Sequence, residues 1–273
     1  MDGGKYGRGS DRLKDRVAIV TGAGSRADGI GNGRAASILL ARNGARIVLV
    51  DMKTEWAERT RDMIEAEGGE AVVVTADVTK PEDCARVVQA GVDRWGRIDI
   101  LVNNVGIGGA PGTAVEVDLA AWNEGLSVNV TSMMLMSKYS IPEMIKTGAG
   151  SIINISSVAG IRGGIANLLY PTSKGAVVNM TRAMAYHHGR DNIRVNCICP
   201  GMVYTPMVYA AGMSEEMRES RRMRSALQTE GTGWDVGGGV LYLASDDARW
   251  VTGVVLPIDA GATAISSTPS PVK

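Results

Sequence analysis

Residues 17–31 read VAIVTGAGSRADGIG, and this run decides the fold. Its first five residues are apolar and largely β-branched with no polar alternation, as in a strand covered on both faces. Gly22, Gly24, Gly29 and Gly31 follow, and the chain then enters an amphipathic segment, a predicted helix over residues 30–43. Strand, glycine turn and helix in that order aim free backbone N–H groups and the positive end of the helix dipole at a phosphate, here the pyrophosphate of a dinucleotide. Such a turn is weak evidence alone, because Gly-rich strand–helix turns are common. The next apolar run, residues 46–51, strengthens it by ending in Asp51, twenty residues after Gly31. A carboxylate at that place accepts from the hydroxyls of an adenosine ribose and repels a 2′-phosphate, which points to NAD rather than NADP. Arg26, inside the turn, and Lys53, just past Asp51, are charges that could meet a phosphate or simply stay solvated.

Working outward, apolar runs at 71–76, 100–103, 151–155, 193–199 and 255–259 read as further strands. Amphipathic stretches at 54–67, 81–94, 118–147, 172–190 and 236–245 read as helices between them. Gly44 and Gly68 stand where helices end in a glycine cap. The alternation predicts an α/β fold: one domain over residues 14–265, a doubly wound, Rossmann-type parallel sheet of seven strands with helices on both faces. Residues 1–13 and 266–273 are polar and rich in Gly, Ser or Pro and read as loose tails. Residues 202–233 interrupt the alternation and carry Met202, Met207, Met213, Met217 and Met223, the composition of a substrate lid.

The charge balance is even, 29 basic against 29 acidic side chains, so nucleic acid and other polyanions are poor partners. No apolar run reaches membrane-spanning length and residues 1–16 lack the apolar centre of a signal peptide, so a soluble, cytoplasmic protein is expected. Cys197 and Cys199, two apart on a strand, face one way as buried thiols, and Cys84 is the third free cysteine. His187 and His188 are adjacent on a helix and diverge by about 100°, so no metal is assigned.

Ser157, Tyr170 and Lys174 form the candidate catalytic set. Four residues separate Tyr170 from Lys174, which stacks them on one helix face. An unperturbed phenol, pKa about 10, is a poor base at neutral pH. An ammonium about 4 Å away at an effective dielectric of about 20 favours the phenolate by roughly 4 kcal/mol, which predicts a lowered Tyr170 pKa. That arrangement suits proton transfer to or from an alcohol oxygen.

With the glycine turn and the Ser–Tyr–Lys set together, residues 14–262 resemble the short-chain dehydrogenase/reductase family. Asp77-Val78 is similar to the family's adenine-contacting pair, and Asn103-Asn104-Val105-Gly106 to its Asn-Asn-Ala-Gly segment. Asn129 matches its helix asparagine, and Pro200-Gly201 with Thr205 its nicotinamide-side loop. The resemblance implies dinucleotide contacts from Gly22, Ser25, Gly29, Ile30, Gly31, Asp51, Met52, Asp77, Val78, Asn103, Val105, Gly106, Tyr170, Lys174, Pro200, Val203 and Thr205. It implies that Tyr170 moves the hydroxyl proton, Ser157 holds the reacting oxygen, and Lys174 lowers the Tyr170 pKa and binds the nicotinamide ribose. Asn129 would position a water linking Lys174 to solvent. It also implies a homotetramer built on helices 118–147 and 172–190. One departure stands out: six residues, 23–28, separate the Thr-Gly pair from Gly-x-Gly where the family has three.

The expected substrate pocket is Ile107, Ser157, Ala159, Gly163, Asn167, Tyr170, Val203 and Met207, suited to a secondary alcohol or ketone with a hydrophobic body. Arg218, Arg221, Arg222 and Arg224 could receive an anionic substrate, but interspersed with Glu215, Glu216 and Glu219 they read more simply as a solvated helix face. Two rival functions remain: a β-ketoacyl thioester reductase, and a non-catalytic protein that senses NAD on the same fold.

Overall fold

The computed structural model describes residues 11–210 and 212–266. Seven strands form one parallel sheet: β1 (Val17–Thr21), β2 (Arg46–Asp51), β3 (Ala71–Thr75), β4 (Ile100–Asn103), β5 (Gly150–Ile155), β6 (Ile193–Pro200) and β7 (Val255–Ile258). Their order is β3-β2-β1-β4-β5-β6-β7. The chain therefore winds outward from β1 in one direction and, from β4, in the other. A crevice opens between the carboxyl ends of β1 and β4, where such sheets bind ligands.

Alternate strand residues enter two cores. Ala18, Val20, Ile47 and Leu49 pack under α1 (Asn32–Arg42) and α9 (Gly233–Ala244). Val17, Ile19, Val48 and Val50 face the other way, under α3 (Pro81–Trp95) and α5 (Ser132–Thr147). Each such side chain contributes roughly 1.5–3 kcal/mol, and burial on both faces is why the strands carry no polar alternation. Among the described residues the other helices are α2 (Thr54–Glu65), α4 (Leu119–Leu126), α6 (Leu169–His188), α7 (Pro206–Tyr209) and α8 (Glu215–Arg222). Gly44 and Gly68 hold φ of +93° and +83°, as expected of residues past helix ends.

Four sequence expectations change. Helix α1 begins at Asn32 with Gly31 as its cap, because the widened turn takes up Ile30. The single helix expected over 118–147 is α4, a π-helical turn at Ser127–Thr131, and α5. The Ser132 N–H reaches back to the Ser127 carbonyl, one residue beyond the α pattern, and this turn carries Asn129. Helix α6 begins at Leu169, so Tyr170 lies in its first turn. Residues 11–13 are not loose: Leu13 is buried in the core, its N–H donates to the Asn43 carbonyl at 2.8 Å, and Arg12 pairs with Asp247. Residues 1–10 and 267–273, the rest of the expected tails, lie outside the described residues.

The excursion at 202–233 is tied down at its base by a bridge between Val203 and Gly231 and contains α7 and α8. Arg218 is not simply solvated. It makes a two-pronged pair with Glu230, 2.7 Å through Nε, and lies 4.3 Å over the Tyr204 ring. Arg221 donates to the Val203 carbonyl at 3.2 Å, and Arg222 pairs with Glu219.

Candidate active site

The glycine turn is locked from beneath. The Asp51 carboxylate accepts from the Gly24 N–H at 3.0 Å and the Lys53 N–H at 3.1 Å. Burial raises the Asp51 pKa, and those backbone donors pull it back down. Asn104 donates to the carbonyls of Thr21 and Gly22 at 3.1 and 3.0 Å, holding the crevice ends of β1 and β4 together. Gly33 is required by contact, since a Cβ there would run into the Gly22 carbonyl and the Asn104 amide.

Two buried polar atoms of this turn have no partner: Ser25 Oγ and Asn32 Oδ1. Asn32 opens α1, whose cap residue Gly31 supplies no side-chain acceptor for the helix's first N–H groups. A hydroxyl without a partner beside uncapped backbone donors fits the oxygen-rich pyrophosphate of a nicotinamide dinucleotide. Ser25 was anticipated from the sequence; the orphaned Asn32 Oδ1 is an acceptor and has no place opposite a phosphate oxygen. Arg34 was missed. It is buried and donates to Gly29 O at 2.6 Å, Thr60 Oγ1 at 3.0 Å and Trp56 O at 3.2 Å, lashing the turn to α2. A charge within an otherwise apolar helix stripe was its only trace in the sequence.

The remaining expected cofactor residues divide by what they leave exposed. Met52 is open to solvent and Ile30 packs against the core. Asp77 caps Thr79 through Oδ1 at 3.0 Å, while Val78 is buried and its carbonyl accepts the Cys84 thiol at 3.3 Å. Asn103 turns its amide inward to Asn154, 2.9 Å away, so only its backbone borders the crevice. Val105 and Gly106 follow at the mouth of β4. Pro200 ends β6, and Val203 packs against the core rather than into an open pocket. Thr205 is buried and stands at the cap position of α7.

Beyond β5, Ser157 caps a single 3-10 turn, accepting from the Ala159 N–H at 3.1 Å, and its hydroxyl lies near enough to Tyr170 to bear on the phenol's charge. Helix α6 is held against this turn by Ser156, which donates to the Lys174 carbonyl at 2.7 Å. Gly160 permits that approach, because a Cβ would sit 2.6 Å from the Lys174 backbone. Lys174 is buried, with Nζ 3.0 Å from the Ile155 carbonyl and 5.9 Å from the centre of the Tyr170 ring. Tyr170 and Lys174 thus share a face, as the spacing required.

The expected lowering of the Tyr170 pKa is overturned. Burial pushes the phenol above its ordinary value, and the nearby Ser157 hydroxyl pulls only part of the way back. The ammonium spends its charge on the Ile155 carbonyl and is itself driven down to about 8 by burial. The fully buried Cys197 and Cys199 lie close enough to Lys174, and Cys199 close enough to Tyr170, to bear on their charges.

Asn129 is fully buried. Its Oδ1 accepts from the Ile107 N–H at 2.8 Å, and its Nδ2 donates to the Ile107 carbonyl and Ser173 Oγ, both at 3.0 Å. The side chain is therefore committed to the loop after β4 and to α6. Of the substrate residues, Ala159 is buried, Ile107 and Asn167 are partly covered, and Gly163 has open space before it. Met207 is 52% exposed at the outer surface of α7.

Residues 24–263 match the family model described as Enoyl-(Acyl carrier protein) reductase. The chain is 35% identical over 260 residues to a meso-2,3-butanediol dehydrogenase of Serratia marcescens, covering 94% of this chain and 98% of the relative. It is likewise 35% identical to a 3-oxoacyl-acyl-carrier-protein reductase of Thermotoga maritima, covering 92% and 98%. Among solved structures, a 7α-hydroxysteroid dehydrogenase complexed with NADH and 7-oxo glycochenodeoxycholic acid superposes with a TM-score of 0.85 at 32% identity, covering 92% of this chain and 95% of that one.

Proposed function

The chain belongs to the short-chain dehydrogenase/reductase family, and from that premise we propose that it interconverts a secondary alcohol and its ketone, with NAD rather than NADP as redox partner. The observation that carries this is Tyr170 on the same face of α6 as a buried Lys174, its ring 5.9 Å from the ammonium, with Ser157 close by at the carboxyl edge of β5.

A bound nicotinamide would supply or accept the hydride at the substrate carbon. The chain's residues handle the proton. In reduction, Tyr170 gives its phenolic proton to the carbonyl oxygen while Ser157 donates a hydrogen bond to that oxygen as charge builds on it. In oxidation, the phenolate takes the proton of the alcohol. Lys174 offers a compact positive charge beneath the phenol and a donor to ribose hydroxyls. Asn129 acts through Ile107, fixing the loop that continues from Gly106 beside Lys174. Ser25 and the first N–H groups of α1 would hold the pyrophosphate, and Asp51 the adenosine ribose. Asp51 supports NAD because a 2′-phosphate would bring negative charge against a carboxylate already braced toward the turn.

The substrate has a hydrophobic body: Ile107 and Ala159 are apolar residues of the loops after β4 and β5 from which Asn129 and Ser157 are held, and the Met-rich residues 202–233 serve as its lid. Arg218 and Arg222 already pair with Glu230 and Glu219, which argues against a dedicated anion receptor. The exposed Met134 and Ile145 on α5 and Tyr186 on α6 support self-association through those helices into a homotetramer, measurable by light scattering. Cytoplasmic residence accords with the free cysteines Cys84, Cys197 and Cys199 and with the absence, among the described residues, of a helix long and apolar enough to cross a membrane.

A panel of secondary alcohols with NAD and NADP, read by absorbance of the reduced cofactor, tests the reading. Turnover of uncharged alcohols with NAD supports it. The similarity to the Thermotoga maritima reductase favours a second reading, reduction of a β-ketoacyl thioester, which predicts activity on an acetoacetyl thioester with NADPH instead. NADH binding without turnover of any alcohol, ketone or thioester leaves the sensing role.

A further inference from the structure

The three extra residues of the glycine turn have little packing of their own. Arg26 is exposed, and the Asp28 side chain is 98% exposed and holds only Arg59, itself an exposed side chain. The segment is nevertheless fixed from two sides. From below, Arg34 binds the Gly29 carbonyl at 2.6 Å. From above, the Tyr209 hydroxyl, at the end of α7, donates to the Asp28 carbonyl at 2.9 Å. The fit is close enough that a Cβ on Gly29, which holds φ at +127°, would strike the Tyr209 oxygen and approach Pro206 at 3.3 Å.

Tyr209 is itself braced. Its ring lies 4.7 Å from that of Tyr204, which carries the Arg218 guanidinium at 4.3 Å, and Arg218 is held by Glu230. A continuous chain of contacts thus runs from Glu230 across α8 and α7 to the widened turn. Helix α7 follows its cap Thr205 and ends at Tyr209, so one rigid turn of helix, about 6 Å long, joins the end of β6 to the turn beside β1.

We propose that Tyr209 is a positioning residue: it latches α7 onto the three additional residues of the glycine turn, which serve as a ledge, so that holding the dinucleotide and holding the lid are one event. This rests on the oxidoreductase reading above. Opening the lid then requires the Tyr209–Asp28 bond to break, and the dinucleotide leaves at a rate that this bond limits. The carbonyl that Tyr209 reaches belongs to residues 23–28, the widened part of the turn, which gives the insertion a function in the hold on the cofactor.

The test uses the full chain and Tyr209→Phe, which keeps the ring on Tyr204 and removes only the hydroxyl. Stopped-flow fluorescence measures dissociation of NADH and of NADPH, and thermal melting without dinucleotide reports the fold. Loss of one hydrogen bond predicts NADH release faster by roughly fivefold, a matching rise in cofactor KM, and an unchanged melting temperature. In the wild type NADH should slow tryptic cleavage after the lid arginines, and in Tyr209→Phe that protection should shrink. Arg59→Ala serves as the control and should leave release unchanged, since exposed pairs contribute little. Release rates and lid protection equal to wild type in Tyr209→Phe overturn the latch, as does a lowered melting temperature without faster release. A wild type that binds neither NADH nor NADPH would instead overturn the dinucleotide reading itself.

Discussion

The Lys174 ammonium donates to the Ile155 carbonyl at 3.0 Å in a site closed to solvent, and that single bond does not offset the cost of burying the charge. Its pKa falls from 10.5 to about 8, with burial the leading cause. A lysine whose folded pKa is lowered binds fewer protons folded than unfolded, so stability rises with pH between the two values. The wild type should gain stability relative to Lys174→Met from about pH 8 to about pH 10.5, by roughly 3 kcal/mol in total. Denaturant titrations of both proteins across that window measure it. Parallel stability curves would show that the ammonium is not strained by burial.

Tyr170 should act more readily as an acid than as a base. Burial holds its phenol above the ordinary value, so at neutral pH the proton is in place. Ketone reduction should therefore be flat through neutrality and decline on the alkaline side, while alcohol oxidation climbs with pH. Tyr170→Phe should lower turnover by roughly 10²–10⁴ while still binding NADH, a split visible by pairing activity with fluorescence titration.

Most of the sheet was legible because parallel strands buried on both faces leave unbroken apolar runs, and β1, β2 and β4 fall where those runs do. What escaped has physical reasons. The π-helical turn around Asn129 is one residue of extra winding inside a continuous helical pattern, and no side chain announces it. Leu13 lies in a polar stretch, yet one leucine suffices to dock that stretch on the core. The Tyr170 pKa runs opposite to its spacing-based expectation because helical spacing gives the face a residue shares but not its solvation. Loss of water around the phenol raises its pKa, and what pulls it back comes from Ser157 and not from the ammonium, which is turned to the Ile155 carbonyl. Arg34 and Tyr209 act on the glycine turn through partners 5 and 181 positions away, and contacts of the second kind exist only once the chain has folded.

Ser25 offers a clean separation of stability from binding. Its hydroxyl is buried without a partner, an arrangement that costs free energy. Ser25→Ala should leave the melting temperature unchanged or slightly raised, while weakening NADH binding by roughly fivefold. Calorimetric titration beside thermal melting reads both. Unchanged affinity would remove Ser25 from the pyrophosphate site.

Asn129 should prove a structural fastener of the active site, and its loss should be felt in folding as well as in rate. All three of its observed bonds join separate segments: two to the Ile107 backbone after β4, one to Ser173 on α6. Asn129→Ala strands the Ile107 N–H and carbonyl in a partly covered setting and leaves a void at a fully buried position, which should cost roughly 1–3 kcal/mol of stability. Asn129→Asp should fare no better, because a carboxylate can still accept from the Ile107 N–H but turns an acceptor toward the Ile107 carbonyl. Activity should fall in both variants as the loop beside Lys174 loosens. If the residue served only to hold a water for proton relay, activity would fall with stability intact. Urea titrations of the two variants beside their turnover distinguish these outcomes.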